Sequence, residues 1–237
     1  MNIFSDICQN SGGMFHVKHI IFCSVLIIQG SLCQSQAYFT IEDKPFMYDA
    51  TIQTQVQSWL DRFQDYKLLN EEQRQMIYWV NVLRSNPKRF QQVYIDSFLR
   101  QYPKLNLPEA KTLKNILFDL DPLPLLAPSL QYSRISQKQA DHLQSELVIS
   151  HNDHRGHDFP ERMRMEGVQC AAENIASVKG NALVAVIVLL LDINLPGAGH
   201  RVNLLSQKYQ SLGVGVAQSG LNENIIYSQL FSCNKFN

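Results

Sequence analysis

The sequence predicts an α+β fold in which helices come first and strands close the chain. Stripes of apolar residues at helical spacing recur between residues 70 and 147. Two stretches typical of strands follow, at residues 212–217 and 225–232, with a turn region rich in Gly and Asn between them. The chain has 237 residues, of which 45% are hydrophobic, so it is long enough to bury one such core.

The charge balance excludes some classes of partner. Lys and Arg together number 21, as do Asp and Glu, so the formal net charge is zero. A neutral chain gives no electrostatic reason to expect binding to nucleic acid or to an acidic membrane surface.

Residues 1–37 are predicted to form a cleaved secretory signal peptide. Lys18 precedes an apolar run at residues 20–28 that is too short to span a bilayer, and Ser35-Gln36-Ala37 fits a signal peptidase site. An uncleaved anchor is the alternative, and Met14 is an alternative start. We therefore expect a mature protein that is secreted, extracellular or periplasmic, with no transmembrane anchor.

Removing this segment changes how many cysteines the mature chain contains. Of five cysteines only Cys170 and Cys233 remain, and two cysteines in an exported protein more often form a disulfide than two free thiols. Such a bridge would contribute up to about 4 kcal/mol in the chain-entropy treatment. The alternative, Cys170 as a nucleophile, lacks the sequence context of a known cysteine enzyme.

Helix signals follow in order along the mature chain. Residues 38–68 form an N-terminal extension, whose amphipathic part at 52–63 should pack on the rest. The first long helix is predicted to begin after Asn70, an N-cap with Gln73 three residues on, and to stop at Asn86-Pro87. Further helices are expected near residues 90–98, 110–118, 129–147, 162–166 and 182–191. The last is apolar on every side, and its Val and Ile content leaves a strand possible.

Imidazoles and carboxylates concentrate between residues 151 and 200. His151, Glu173, Asp192 and His200 are separated by apolar runs that would supply the walls of a polar cleft. Neutral imidazole and carboxylate suit a zinc-like cation or proton transfer near neutral pH. A structural role, in which the histidines bond to backbone and the carboxylates, remains open.

Six short motifs, in order, resemble the CAP superfamily of cysteine-rich secretory, antigen 5 and plant pathogenesis-related proteins, in particular its secreted bacterial members. They begin at residues 82, 122, 149, 172, 199 and 212 and read VLRSNP, PLPLL, ISH, AENI, GHRVNLL and LGVG. The resemblance covers about residues 69–237, with an insertion at about 88–121. It implies a three-layer α-β-α sandwich with a small antiparallel sheet between helical layers.

The resemblance also implies a site. Two histidines and two acidic residues line a central cleft in that family, and some members bind zinc there. The matching positions are His151, Glu173 and His200, with His151 and His200 as metal ligands and Zn²⁺ as the possible cofactor. Asp192 is the fourth member, although no aromatic residue precedes it, as one often does in the family.

Other polar residues near the cleft have less specific interpretations. His154 and His157 continue a three-residue spacing from His151, which suits either an extra ligand or a solvated loop. Arg201 and Asn203 are better explained as groups that satisfy loop carbonyls and cap the next turn.

The leading functional hypothesis is a secreted binding module for a small hydrophobic ligand or a protein partner, with a cleft able to hold a divalent metal. The alternative is a metal-assisted hydrolase in which His151 and His200 hold the cation and Glu173 acts as general base on its bound water. A purely structural domain is a third possibility.

Overall fold

The computed structural model describes residues 45–48, 53–146, 149–195 and 197–234. The predicted signal peptide at residues 1–37 lies outside these ranges. No helix among the described residues is long and apolar enough to cross a bilayer.

The centre of the protein is a mixed four-stranded sheet. Its strands are β1 (Ala127–Pro128), β2 (Ala171–Val178), β3 (Ser211–Gln218) and β4 (Ile225–Ser232), in the order β1-β3-β4-β2. The two-residue β1 runs parallel to β3, whereas β4 is antiparallel to both of its neighbours. The two terminal strands predicted from the sequence are confirmed as β3 and β4. β2 was recognised only as a motif.

Ten α-helices among the described residues surround the sheet: α1 (Thr54–Leu60), α2 (Gln64–Leu68), α3 (Glu71–Ser85), α4 (Pro87–Phe90), α5 (Asp96–Gln101), α6 (Pro108–Asp119), α7 (Leu130–Leu143), α8 (Phe159–Met165), α9 (Ala182–Leu191) and α10 (Gly199–Leu205). A π-helical turn, Gln91–Ile95, joins α4 to α5, and a short 3₁₀ turn, Pro103–Leu105, precedes α6. Helical structure thus fills most of the predicted insertion.

The helices form two layers on opposite faces of the sheet. α7 packs on β3 and β4, while α3 packs on β3 and α9 on β2. Strand residues alternate between the faces: Phe231 belongs to the main apolar core with α3 and α9, and its neighbour Leu230 packs with Tyr132 of α7 and Met163 of α8. The α+β class and its α-β-α layering are therefore as the sequence and the resemblance predicted.

Local sequence explains where the main helices begin. The Asn70 side chain accepts from the Gln73 backbone N–H, and the Gln73 side chain accepts from the Asn70 N–H, which forms the predicted capping box of α3. Ser129 caps α7 and Asn181 caps α9, each through a side-chain oxygen that accepts from the backbone N–H three residues on. All but one residue of α9 are buried, so its uniform apolarity reflects burial on every side of a helix.

Side chains cover the part of β3 that β1 leaves unpaired. Beyond Leu212, the Val214 N–H donates to Ser133 Oγ at 3.0 Å and the Val216 N–H to Gln137 Oε1 at 3.0 Å. Gln137 Nε2 in turn donates to the Val216 carbonyl, and Gln73 Nε2 to the Val214 carbonyl. These amides and the hydroxyl satisfy backbone groups that would otherwise form an open sheet edge.

The described part of the N-terminal extension packs against the helical layer. Phe46 lies edge-on to Phe98, and Tyr48 lies edge-on to Trp79 of α3. Val56 and Leu60 of α1 are buried, which fits the amphipathic pattern seen in the sequence.

Candidate functional site

The first histidine–carboxylate pair joins the segment after α7 to the sheet. His151 Nδ1 lies 2.9 Å from Oε1 of Glu173, which β2 carries. The Glu173 side chain is 2% exposed and the imidazole is 34% exposed, so a buried carboxylate holds a ring that reaches solvent. A bond at Nδ1 fixes the tautomer and orientation of the ring.

Arg162 completes this pair and was not predicted from the sequence. From α8, its guanidinium donates to both Glu173 oxygens at 3.0 Å, in a bidentate arrangement. The same guanidinium donates to the His151 carbonyl at 2.8 Å. The sequence signal was indirect: a carboxylate as buried as Glu173 requires a partner, but nothing along the chain identified Arg162 as that partner.

The second pair joins α9 to α10. His200 Nδ1 lies 2.7 Å from Oδ1 of Asp192, whose side chain is fully buried. Asp192 ends α9 in a left-handed conformation with φ of 51°, which costs a non-glycine residue about 1 kcal/mol. Its second oxygen accepts from the Arg201 N–H at 3.1 Å. The absence of a preceding aromatic residue has not prevented Asp192 from pairing with His200.

Both pairs are tied to β2, an edge strand of the sheet. Glu173 is directed towards α8, and its neighbour Asn174, which points to the opposite face, donates to the His200 carbonyl at 3.2 Å. Asn203 of α10 donates to Asn174 Oδ1 at 2.9 Å. The four predicted residues therefore form two pairs that flank one strand.

Both imidazoles leave one ring nitrogen unused. Each ring bonds through Nδ1, and in the described part of the chain neither Nε2 has a hydrogen-bond partner. A carboxylate behind Nδ1 is the usual support for a histidine that ligates a metal through Nε2. Within the described ranges, however, no group of three or more His, Cys, Asp and Glu side chains is placed to hold a metal ion.

Arginines fix the position of α10. Arg201 donates to the carbonyls of Leu190 and Leu191 and to that of Glu109 in α6. Arg84 of α3 is fully buried and donates to the carbonyls of Leu204 and Ser206 at the other end of the helix. Burial lowers the pKa of Arg84 to about 10. Arg201 was predicted to satisfy loop carbonyls, and the carbonyls that it satisfies lie instead in α9 and α6.

The remaining histidines of this region bond elsewhere. His157 Nδ1 lies 3.0 Å from Asp153 Oδ2, in a short turn that Asp153 also holds through the Arg155 and His157 N–H groups. Burial opposes ionisation of Asp153, but the hydrogen bonds from the His157 ring and from these N–H groups outweigh it and hold the pKa of Asp153 well below its usual range. The His154 ring lies 6.1 Å from that of His142.

The cysteines lie at one end of the β2–β4 pair. Cys170 precedes β2 and Cys233 follows β4, and the two are joined by a disulfide with a Cα–Cα distance of 5.6 Å. This is the pairing predicted from the sequence, and it leaves no free Cys170 thiol to act as a nucleophile.

Comparison with known proteins gives one match of family scale. The model of the cysteine-rich secretory protein family, CAP, matches residues 77–234. No curated protein matches the chain significantly.

Solved structures from three bacteria show some likeness to this chain. An extracellular protein with an SCP domain from Bacillus anthracis is 20% identical, with a TM-score of 0.44, over 69% of this chain and 40% of its own. An outer surface protein from Borrelia burgdorferi is 17% identical, with a TM-score of 0.38, over 58% and 92%. A cysteine-rich secretory protein from Staphylococcus aureus is 18% identical, with a TM-score of 0.32, over 56% and 36%. The matched region thus spans less than half of the Bacillus and Staphylococcus chains.

Proposed function

The chain belongs to the cysteine-rich secretory protein family, CAP, whose model matches about two thirds of it, and from this membership we propose that it is a secreted binding protein whose paired histidines hold a zinc-like cation. Residues 1–37 would be its signal peptide, and residues 69–237 its CAP domain, with the insertion at about 88–121. The bound partner would be a small hydrophobic ligand or a protein, as the family resemblance suggests.

One observation carries the metal part of the proposal. His151 and His200 each bond through Nδ1 to a buried carboxylate, which turns Nε2 away from the protein support. Glu173 and Asp192 would orient the rings without being ligands themselves. A zinc ion held by two imidazoles would keep open positions, through which it supplies Lewis acidity to an incoming oxygen or nitrogen donor.

The contacts of Glu173 weigh against the hydrolase alternative. A general base must be free to accept a proton from the attacking water. Arg162 donates to both carboxylate oxygens and His151 lies against one of them, so both oxygens of Glu173 are already engaged. Binding, rather than proton transfer by Glu173, is the function that this geometry supports best.

Calorimetry on chelator-stripped protein at pH 7.5 tests the metal site. We expect His151→Ala and His200→Ala each to weaken zinc binding by at least tenfold, about 1.4 kcal/mol, because each removes one of two imidazole ligands. His157→Ala is the matched control, since its ring bonds to Asp153 outside the two pairs. Affinity should fall on acidification, because a protonated imidazole cannot ligate.

The same measurements separate a metal site from a structural network. If zinc produces neither heat nor a rise in melting temperature in the unmodified protein, the cleft is not a metal site. Equal zinc binding by the His200→Ala variant and the His157→Ala control would contradict the assignment of His200 as a ligand.

A further inference from the structure

The insertion contains a cavity that the CAP cleft does not involve. It lies where the chain leaves α5, passes through the 3₁₀ turn and enters α6, and its volume is about 260 Å³. Five residues line it: Asp96, Leu99, Arg100, Asn106 and Lys114. Prolines begin both the 3₁₀ turn and α6, and their fixed φ angles stiffen the wall between the two helices.

The cations of this cavity differ in how they are held. Lys114 lies 2.8 Å from Asp96 Oδ1, and Asp96 Oδ2 accepts from Gln91 Nε2 at 2.6 Å. Asp96 thus uses its charge to fix the Lys114 ammonium at the cavity. Arg100 is exposed, and its guanidinium has no hydrogen-bond or ion-pair partner among the described residues.

The lining therefore carries one net positive charge, since Arg100 and Lys114 oppose the single carboxylate of Asp96. A guanidinium offers a planar fork of donors that matches a carboxylate, and an ammonium beside it adds a second charge-assisted donor. Asn106 supplies an amide, and Leu99, 7% exposed, supplies an apolar surface. Such a lining suits an anion with a short carbon chain.

The volume of about 260 Å³ lies just below the range of about 300–1,000 Å³ that is usual for pockets of drug-sized ligands. The cavity is therefore large enough for a small organic acid.

We propose that the cavity between α5 and α6 binds small carboxylates, with one carboxylate group held between Arg100 and Lys114. The site is independent of His151 and His200 and of any metal they hold.

Succinate is a suitable probe, because it has eight non-hydrogen atoms and two carboxylates. We expect succinate, titrated at low ionic strength into the chelator-treated full chain, to shift the backbone amide resonances of Leu99 and Asn106 in a saturable manner. Arg100→Gln should weaken binding about tenfold or more, the effect of losing charge-assisted hydrogen bonds. It should leave the melting temperature unchanged, because the Arg100 guanidinium bonds to no other residue in the described ranges. Lys114→Gln should weaken binding similarly.

Lys111→Gln is the matched control. Lys111 is an exposed cation on the same helix, three residues before Lys114, and does not line the cavity. Unchanged affinity in this variant, and in His151→Ala, supports the proposal. The absence of saturable shifts, an equal loss in Lys111→Gln, or equal displacement by chloride would each overturn it.

Discussion

At the scale of single residues, the chain stabilises charges in its interior with specific partners rather than by exposure. Glu173 is 2% exposed and Arg162 is 8% exposed at their side chains, so their ion pair is shielded from water. Taking either charge out of water is costly, and the pair is stable only because its geometry is bidentate and His151 adds a further contact. Arg162 therefore fixes the carboxylate that orients His151.

Replacing Arg162 tests this role. Arg162→Met removes the guanidinium that pairs with the buried Glu173 carboxylate, so we expect the free energy of unfolding to fall by about 3 kcal/mol. Arg164→Met is the control on the same helix, because its ion pair with Glu161 is exposed and worth under about 1 kcal/mol. Urea unfolding of both variants measures the difference. Equal losses of unfolding free energy in the two variants would show that burial does not distinguish the two ion pairs. The double variant Arg162→Met/Glu173→Gln should recover part of the stability that Arg162→Met loses.

At the scale of elements, α7 and β3 approach each other backbone to backbone. A Cβ added at Gly213 would lie 2.2 Å from the Tyr132 carbonyl carbon, and one at Gly215 would lie 2.2 Å from Ser136 backbone atoms. The Gly213-Val214-Gly215 motif is therefore a packing device that lets a helix lie directly on a strand. It also brings Ser133 and Gln137 within reach of the β3 backbone.

Gly213→Ala should consequently lower the stability of the protein more than an ordinary overpacking change does. The obstructing atoms belong to the α7 backbone and cannot rotate away, so we expect a loss of at least about 3 kcal/mol, the upper end of the usual range for overpacking. Gly199→Ala is the control, because a Cβ there would meet nothing within 4 Å. Thermal melting of the two variants compares them, and similar melting temperatures would contradict the close approach.

These elements also show which features could be predicted from sequence. Capping residues act within three or four positions, so Asn70, Ser129 and Asn181 revealed their helices. β2 was missed as a strand, because Glu173 and Asn174 are both buried and interrupt any simple alternation. Arg162 was missed for a related reason. Its partner Glu173 lies eleven residues further along the chain on another element, and only the fold brings the two side chains together.

At the scale of the whole molecule, the disulfide joins β2 to β4 at the end of the sheet where β2 begins and β4 ends. Cys170 and Cys233 are 63 residues apart and bracket the register in which Ala171 faces Ser232. The bond shortens the loops available to the unfolded chain, and it holds the edge strand β2 against β4. The strand that carries Glu173 is thus restrained at its first residue.

Removing this bond should destabilise the protein without changing its fold. We expect the double variant Cys170→Ser/Cys233→Ser to lose up to about 4 kcal/mol of unfolding free energy, as chain entropy predicts for a loop of this length. Urea unfolding with and without reductant measures the loss, and reductant should have no effect on the double variant. Rapid alkylation of both cysteines without reductant would contradict the bond.

β4 comes last in sequence among the described strands, yet it lies between β3 and β2. During synthesis, neither β2 nor β3 can pair with β4 until residues 225–232 have emerged. α3 also makes contacts that form late in synthesis. Gln73 bonds to Val214, 141 residues later, and Met76 contacts Gln229, 153 residues later. Contacts between residues so far apart stabilise the chain only after a long loop has been closed, which costs conformational entropy. A nascent chain that lacks residues 225–232 therefore cannot form the complete sheet, because β4 joins β3 to β2.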